Sequence, residues 1–464
     1  MSEVVQRKKI YFEYCDRLAE FISNKFSYEK SILSLNWLLF YIFLSIILNP
    51  FFTTFEDIKI NIFLDLFGLI MPLFFIKRIS KLSFYYFLSF FSLILFQLLF
   101  LVYSTKNFNV IFQSRMTMYF ICQIFLFYSI LSQISHKYII STIKVVNYFV
   151  FFIIIVLFFD FFIADVFISK SYIKEYIVDY RGDLYTYFTK IFNGSSPNGL
   201  ILGPQHSSII SLIACFYLIP IFKDDFKDKV RLFIYFPCCF FMFILTMTTT
   251  SLICLVMFLG FCSFSAKGTI FFNKYFRAFS LLSIGMLALS WEFLIYIKVG
   301  KIYDASFIQY YIDVFTSPIY NIIRHSSISN ILLGSGSYPE VWYKSKELVD
   351  INADFGYGMW ILSDGIIVVF VLTIFFFYTL YTYLKNPLFF IEKNESRKYL
   401  DIIISPIIFC FFVFTSIIHY QTIFQIGIKQ LFCFYFSVIL YFMFHRKKLI
   451  NNSESNLFKN KNSV

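Results

Sequence analysis

Arg181, Arg324 and Asp354 are the residues whose types and placement suit chemistry best. Arg181 lies in YIVDYRGDLYTYF and Arg324 in YNIIRHSSISNILLGSGS, each in a polar stretch between long apolar runs. A guanidinium offers a rigid fork of N–H donors that fits phosphate oxygens in bidentate fashion, so the two arginines suit a pyrophosphate. Salt bridges to acids such as Asp179 or Asp183 are the competing assignment. Asp354 belongs to NADFGYGMWILSDG, residues 352–365, where polar sequence gives way to Ile, Val and Phe. A carboxylate at a water edge stays ionised and accepts a proton, which is what a general base must do. Capping the helix that follows is its other role. Asp364 lies deeper in the apolar run and precedes Gly365, so a kink or cap competes there with a functional role.

Secondary candidates for substrate binding surround these three. His206, in GPQHSS, enters an apolar run, where it either lines a cavity or packs as a hydrogen-bonded side chain. His325 adjoins Arg324. Gly334 and Gly336, in LLGSGS, imply unusual backbone angles or a close approach. They either offer N–H groups to an anion or simply form a turn. Tyr357 is a further candidate for substrate binding, and Trp360 suits either stacking on a bound ring or the aromatic belt of a membrane interface. The 5 histidines are dispersed and the 9 cysteines show no ligand spacing, so neither a metal nor another cofactor is expected.

The elements that position these residues follow from composition. Of 464 residues, 59% are hydrophobic and only 15% charged, and the apolar residues come in runs near the length that crosses a bilayer. A soluble chain of this size would divide into domains with polar surfaces. We expect an all-α integral membrane protein with about twelve spans. They lie near 32–52, 60–76, 82–103, 116–134, 145–168, 200–222, 232–247, 250–265, 278–297, 359–384, 399–418 and 428–445. The segment 1–31 precedes this membrane domain of 32–445, and a basic tail, 446–464, follows it.

Charge sets the orientation. With both termini cytoplasmic, the inside segments hold 27 of the 40 Lys and Arg, and KRISK, KDDFKDKVR and HRKK all fall inside. Two large loops, near 169–199 and 298–358, then face outward and carry Arg181, Arg324 and Asp354. No Gly-rich phosphate loop occurs, which argues against ATP-driven transport and cytoplasmic sugar nucleotides. The net charge of +12 is spread over loops, which suits membrane orientation rather than nucleic acid. The spans read as nearly free of charge, with Asp160, Asp165, Glu292 and Asp364 as exceptions near span ends.

These features together resemble the bacterial O-antigen polymerases of the Wzy type, in the superfamily shared with the O-antigen ligases. The resemblance rests on Arg181 with FNGSSPNG, the polar sixth span and the TMTTTS break at 246–251. It rests further on Arg324 before ILLGSGS, on DFGYGMWILSDGI at 354–366 and on HYQTIFQIG before the last span. It implies polymerisation of oligosaccharide repeat units carried on undecaprenyl pyrophosphate, at the periplasmic face of the bacterial inner membrane. By position, Arg181 and Arg324 would engage the pyrophosphate, and Asp354 matches the acidic position after the Gly-x-Gly element. Ligases more often carry a His there, which favours polymerase. The partners implied are the lipid-linked oligosaccharides, membrane lipids, and a chain-length regulator and flippase of the same pathway. A flippase for lipid-linked oligosaccharides and an O-antigen ligase are the alternatives.

Overall fold

The structure is a computed structural model. It describes residues 32–46, 60–75, 81–105, 115–134, 136–162, 327–334, 356–385 and 427–461, with single turns or residues at 210–212, 214, 237–240, 243, 254–255, 410 and 413. Regular structure among them is helical throughout. In chain order the helices are α1 (Ile32–Ile46), α2 (Ile60–Phe75), α3 (Lys81–Thr105), α4 (Arg115–Ser132), α5 (His136–Phe162), α6 (Ile328–Leu333), α7 (Gly356–Lys385) and α8 (Ile428–Lys461).

Among the described residues, two stretches are long and apolar enough to cross a membrane: Trp360–Tyr383 of α7 and Ile428–His445 of α8. Helices α1, α3, α4 and α5 each contain a shorter apolar stretch. The chain from 428 to 442 is buried on every side of α8, as expected of a helix that is apolar all round. At 34 residues α8 is about 51 Å long, so it continues well beyond the ~30 Å of a hydrocarbon core.

Helix α4 is the hub. It packs against α8, α3 and α2, and α7 packs against α8 and α6. Small polar residues let α4 and α8 approach closely. Ser437 donates to the Ile124 carbonyl at 2.8 Å, and the Cys433 thiol faces the Phe120 carbonyl at 3.6 Å. Aromatic edges fill the next layer: Phe376 meets Phe436 at 4.9 Å between ring centroids and Phe120 at 5.6 Å. Tyr435 ties α8 to α5 by donating to Asn147 Oδ1 at 2.6 Å.

The outer surface of this bundle is also apolar. Along α7, Ile366, Ile367, Phe370, Val371, Ile374, Phe377, Tyr378 and Tyr381 are exposed, while Val368, Val369, Leu372, Phe376 and Leu380 are buried. That alternation has the helical period, with apolar residues on both faces. Helix α3 shows the same pattern, with Tyr85, Phe96, Leu99 and Tyr103 outermost.

Candidate functional site

Helix α7 is not a single rod. Gly365 has φ 81° and ψ 152°, outside the helical region, and breaks it into a short arm, 356–364, and a long arm, 366–385. The break at Gly365 sets the short arm at an angle to the long one. The short arm is almost wholly buried, and Trp360 at its centre is 1% exposed. The Asp364–Gly365 pair in the sequence raises a kink as one possibility, and a kink is what forms there.

A second broken element meets the first. Helix α6 ends at Gly334, which has φ 83°, the left-handed conformation that commonly closes a helix. Its backbone lies directly on that of Ser363, Asp364 and Gly365. A Cβ on Gly334 would sit 2.7 Å from the Gly365 nitrogen, and a Cβ on Gly365 would sit 2.7 Å from Leu333 Cα. Both close approach and unusual backbone angles, the two properties LLGSGS implies, are therefore present at Gly334.

Two helix ends that meet inside a bundle leave carbonyls without intrahelical partners. Gln97 of α3 supplies them. Its amide donates to Leu333 O at 2.6 Å and to Asp364 O. Thr117, in the first turn of α4, donates to Asp364 Oδ2 at 2.5 Å. The Asp364 carboxylate is buried, with the side chains of Ser363 and Trp360 also against it. Four elements thus converge on one junction of broken backbone. Such backbone is tolerated at membrane depth only where protein surrounds it.

Of the eight candidate site residues, Gly334 and Tyr357 lie at this junction, Tyr357 half-buried beside Trp360 at 6.1 Å between rings. Arg181, His206, Arg324, His325, Gly336 and Asp354 lie outside the described residues. Gln97 and Thr117 are not apparent as site residues from the sequence. Their signal is only that each is a polar residue inside or at the mouth of an apolar run.

The reading of nearly charge-free spans needs correction. Asp65 of α2 and Lys429 of α8 form an ion pair inside the bundle, with side chains 2% and 1% exposed. Gln123 of α4 donates to the Tyr41 hydroxyl of α1 at 2.9 Å and lies 3.5 Å from Asp65 Oδ1. Gln430 also donates to Tyr41, at 3.3 Å, and its Oε1 accepts from the Gly427 N–H at 2.7 Å. Gly68 leaves room for Tyr41, whose hydroxyl would collide with a Cβ at that position. Each charge lies in a mainly apolar stretch, INIFLDLFGL and IKQLFCFYF, which hides it from a hydropathy average. The two sites are joined through α4. Thr117 and Gln123 are six residues apart, about 9 Å along the axis and on different faces.

No family model, no curated protein and no solved structure matches the chain.

Proposed function

We propose that the chain is a twelve-span enzyme of a bacterial inner membrane that polymerises oligosaccharide repeat units carried on undecaprenyl pyrophosphate. In this reading the apolar outer faces of α3 and α7 meet lipid, and the α6–α7 junction lies toward the periplasmic side. The reaction is glycosyl transfer without a metal. The anomeric C–O bond to the lipid pyrophosphate breaks, a C–O bond to the acceptor hydroxyl forms, and the hydroxyl proton passes to Asp354. Arg181 and Arg324 neutralise the pyrophosphate and make it a better leaving group.

The observation that carries the reading is the contact between Gly334 and Gly365. Arg324 precedes Ile328 by four residues and Asp354 precedes Gly356 by two. Covalent reach limits them to about 14 Å and about 7 Å from α6 and α7. Because α6 and α7 pack together, the contact limits how far apart the two loop segments that bear these residues can lie. In this reading Tyr357, His325, Gly336 and Gly334 belong to the substrate-binding region, and His206 enters it from the sixth span.

A second reading has its own support. Ion pairs inside a bundle mark substrate and ion pathways, and the buried Asp65–Lys429 pair favours a flippase for lipid-linked oligosaccharides. The surface polysaccharide of a deletion strain separates the two on a gel. A lipid core bearing one repeat unit supports the polymerase; loss of even that single unit points to a flippase or a ligase.

A further inference from the structure

The Asp65–Lys429 pair is placed poorly for a purely structural bond. Lys429 lies in the first turn of α8, where the helix dipole disfavours a cation. Both charges are dehydrated, and a buried pair seldom exceeds a well-packed apolar pair in stability. The surrounding hydrogen bonds are also incomplete. Gln123 reaches both Tyr41 and Asp65 through its amide nitrogen, and its buried Oε1 has no hydrogen-bond partner among the described residues. That acceptor belongs to the same amide whose nitrogen is 3.5 Å from Asp65 Oδ1, the atom Lys429 holds.

We propose that Asp65 is a proton-binding site of the bundle, with Lys429 as its exchangeable counter-ion and Gln123 Oε1 as the position Lys429 takes when Asp65 is protonated. In the resting form the Lys429 ammonium donates to Asp65. A hydronium ion then delivers a proton to a carboxylate oxygen of Asp65 and leaves as water. The ammonium loses its charged acceptor and turns its N–H to Gln123 Oε1. Release of the proton reverses each step. The titratable groups facing Asp65 among the described residues are Lys429 and Cys433 of α8 and Tyr41 of α1. Tyr41 already accepts from Gln123 and Gln430, which holds the Gln123 amide in place while Lys429 moves. The proposal does not depend on the polymerase reading, since a proton site serves a transporter equally.

Difference infrared spectroscopy of the full chain in lipid nanodiscs tests it, through the carbonyl stretch that only a protonated carboxylic acid shows. Acidification of the wild type brings in one such band that disappears in Asp65→Asn and moves in Asp65→Glu. Lys429→Met shows the band already at neutral pH, because an unpaired buried carboxylate neutralises by taking a proton. If the acid-induced bands of the wild type and Asp65→Asn coincide at every pH where the protein stays folded, the proposal is overturned. It is equally overturned if Lys429→Met lacks the band at neutral pH. Should Asp65→Asn fail to fold, the comparison of wild type with Lys429→Met still decides.

Discussion

Gly334 and Gly365 meet backbone to backbone, each with a positive φ, and between them they seat α6 on the break in α7. Neither position has room for a methyl group. Gly365→Ala places a side chain in a conformation that costs about 1–3 kcal/mol and drives it into the Leu333 backbone. Gly334→Ala meets Ser363 and Gly365 in the same way. Each substitution should lower the thermal unfolding midpoint of the full chain in detergent. The double variant should lose less than the sum, because both remove one shared contact. Additive losses would mean that the two glycines act separately.

Gln97 closes the same junction from α3. Gln97→Leu preserves most of the side-chain volume and leaves Leu333 O and Asp364 O without their donor. Each orphaned buried carbonyl costs about 1–3 kcal/mol. Gln97→Glu should be worse, since it sets a carboxylate against two carbonyl oxygens. Unfolding measurements that rank Glu above Leu in stability would show that the amide is not a donor to both ends.

The geometry gives Asp364 a structural task at the junction, while Asp354 is the proposed base. Asp364 is held by Thr117, and an Asn there keeps an oxygen for that hydroxyl to donate to. Asp364→Asn should therefore leave polysaccharide chain length near wild type, whereas Asp354→Asn should shorten it sharply by removing the proton acceptor. Equal or reversed effects on a surface polysaccharide gel would move the base away from Asp354.

The sequence carries much of the helical plan because apolar run length is a strong and local signal. The spans read at 60–76 and 116–134 are close to Ile60–Phe75 and Arg115–Ser132, and the last begins at Ile428 as read. The fifth starts at His136 rather than near 145, because His136, Lys137 and Lys144 interrupt hydropathy without interrupting the helix. Tertiary pairing is less legible. Nothing local to Asp65 announces a lysine 364 residues away, and Gln97 looks like a stray polar residue until two distant carbonyls meet it. Glycine was informative because positive φ and close approach are properties of the residue itself.

Removing one member of the Asp65–Lys429 pair strands the other in an apolar interior. Lys429→Met or Asp65→Leu alone should destabilise the protein by about 3–5 kcal/mol. The double variant should recover most of that loss, since two apolar side chains of similar size replace a dehydrated pair. Recovery of stability without recovery of function would separate the folding role of the pair from its use as a proton site. Failure of the double variant to recover would mean that Gln123 and Tyr41 also depend on the charges.

In the polymerase reading the two arginines neutralise the pyrophosphate. Arg324→Ala and Arg181→Ala should each leave the protein inserted at normal abundance and reduce the surface polysaccharide to a core with one repeat unit. The donor pyrophosphate would remain, but its charge would no longer be neutralised in the transition state. Arg324→Lys should rescue only in part, because an ammonium keeps the charge and loses the bidentate fork. The effect should fall on the rate of chain extension rather than on insertion, so membrane abundance serves as the internal control. Chains of normal length in both alanine variants would remove the pyrophosphate role from these residues. Loss of the single repeat unit in both would shift the assignment to transport or ligation.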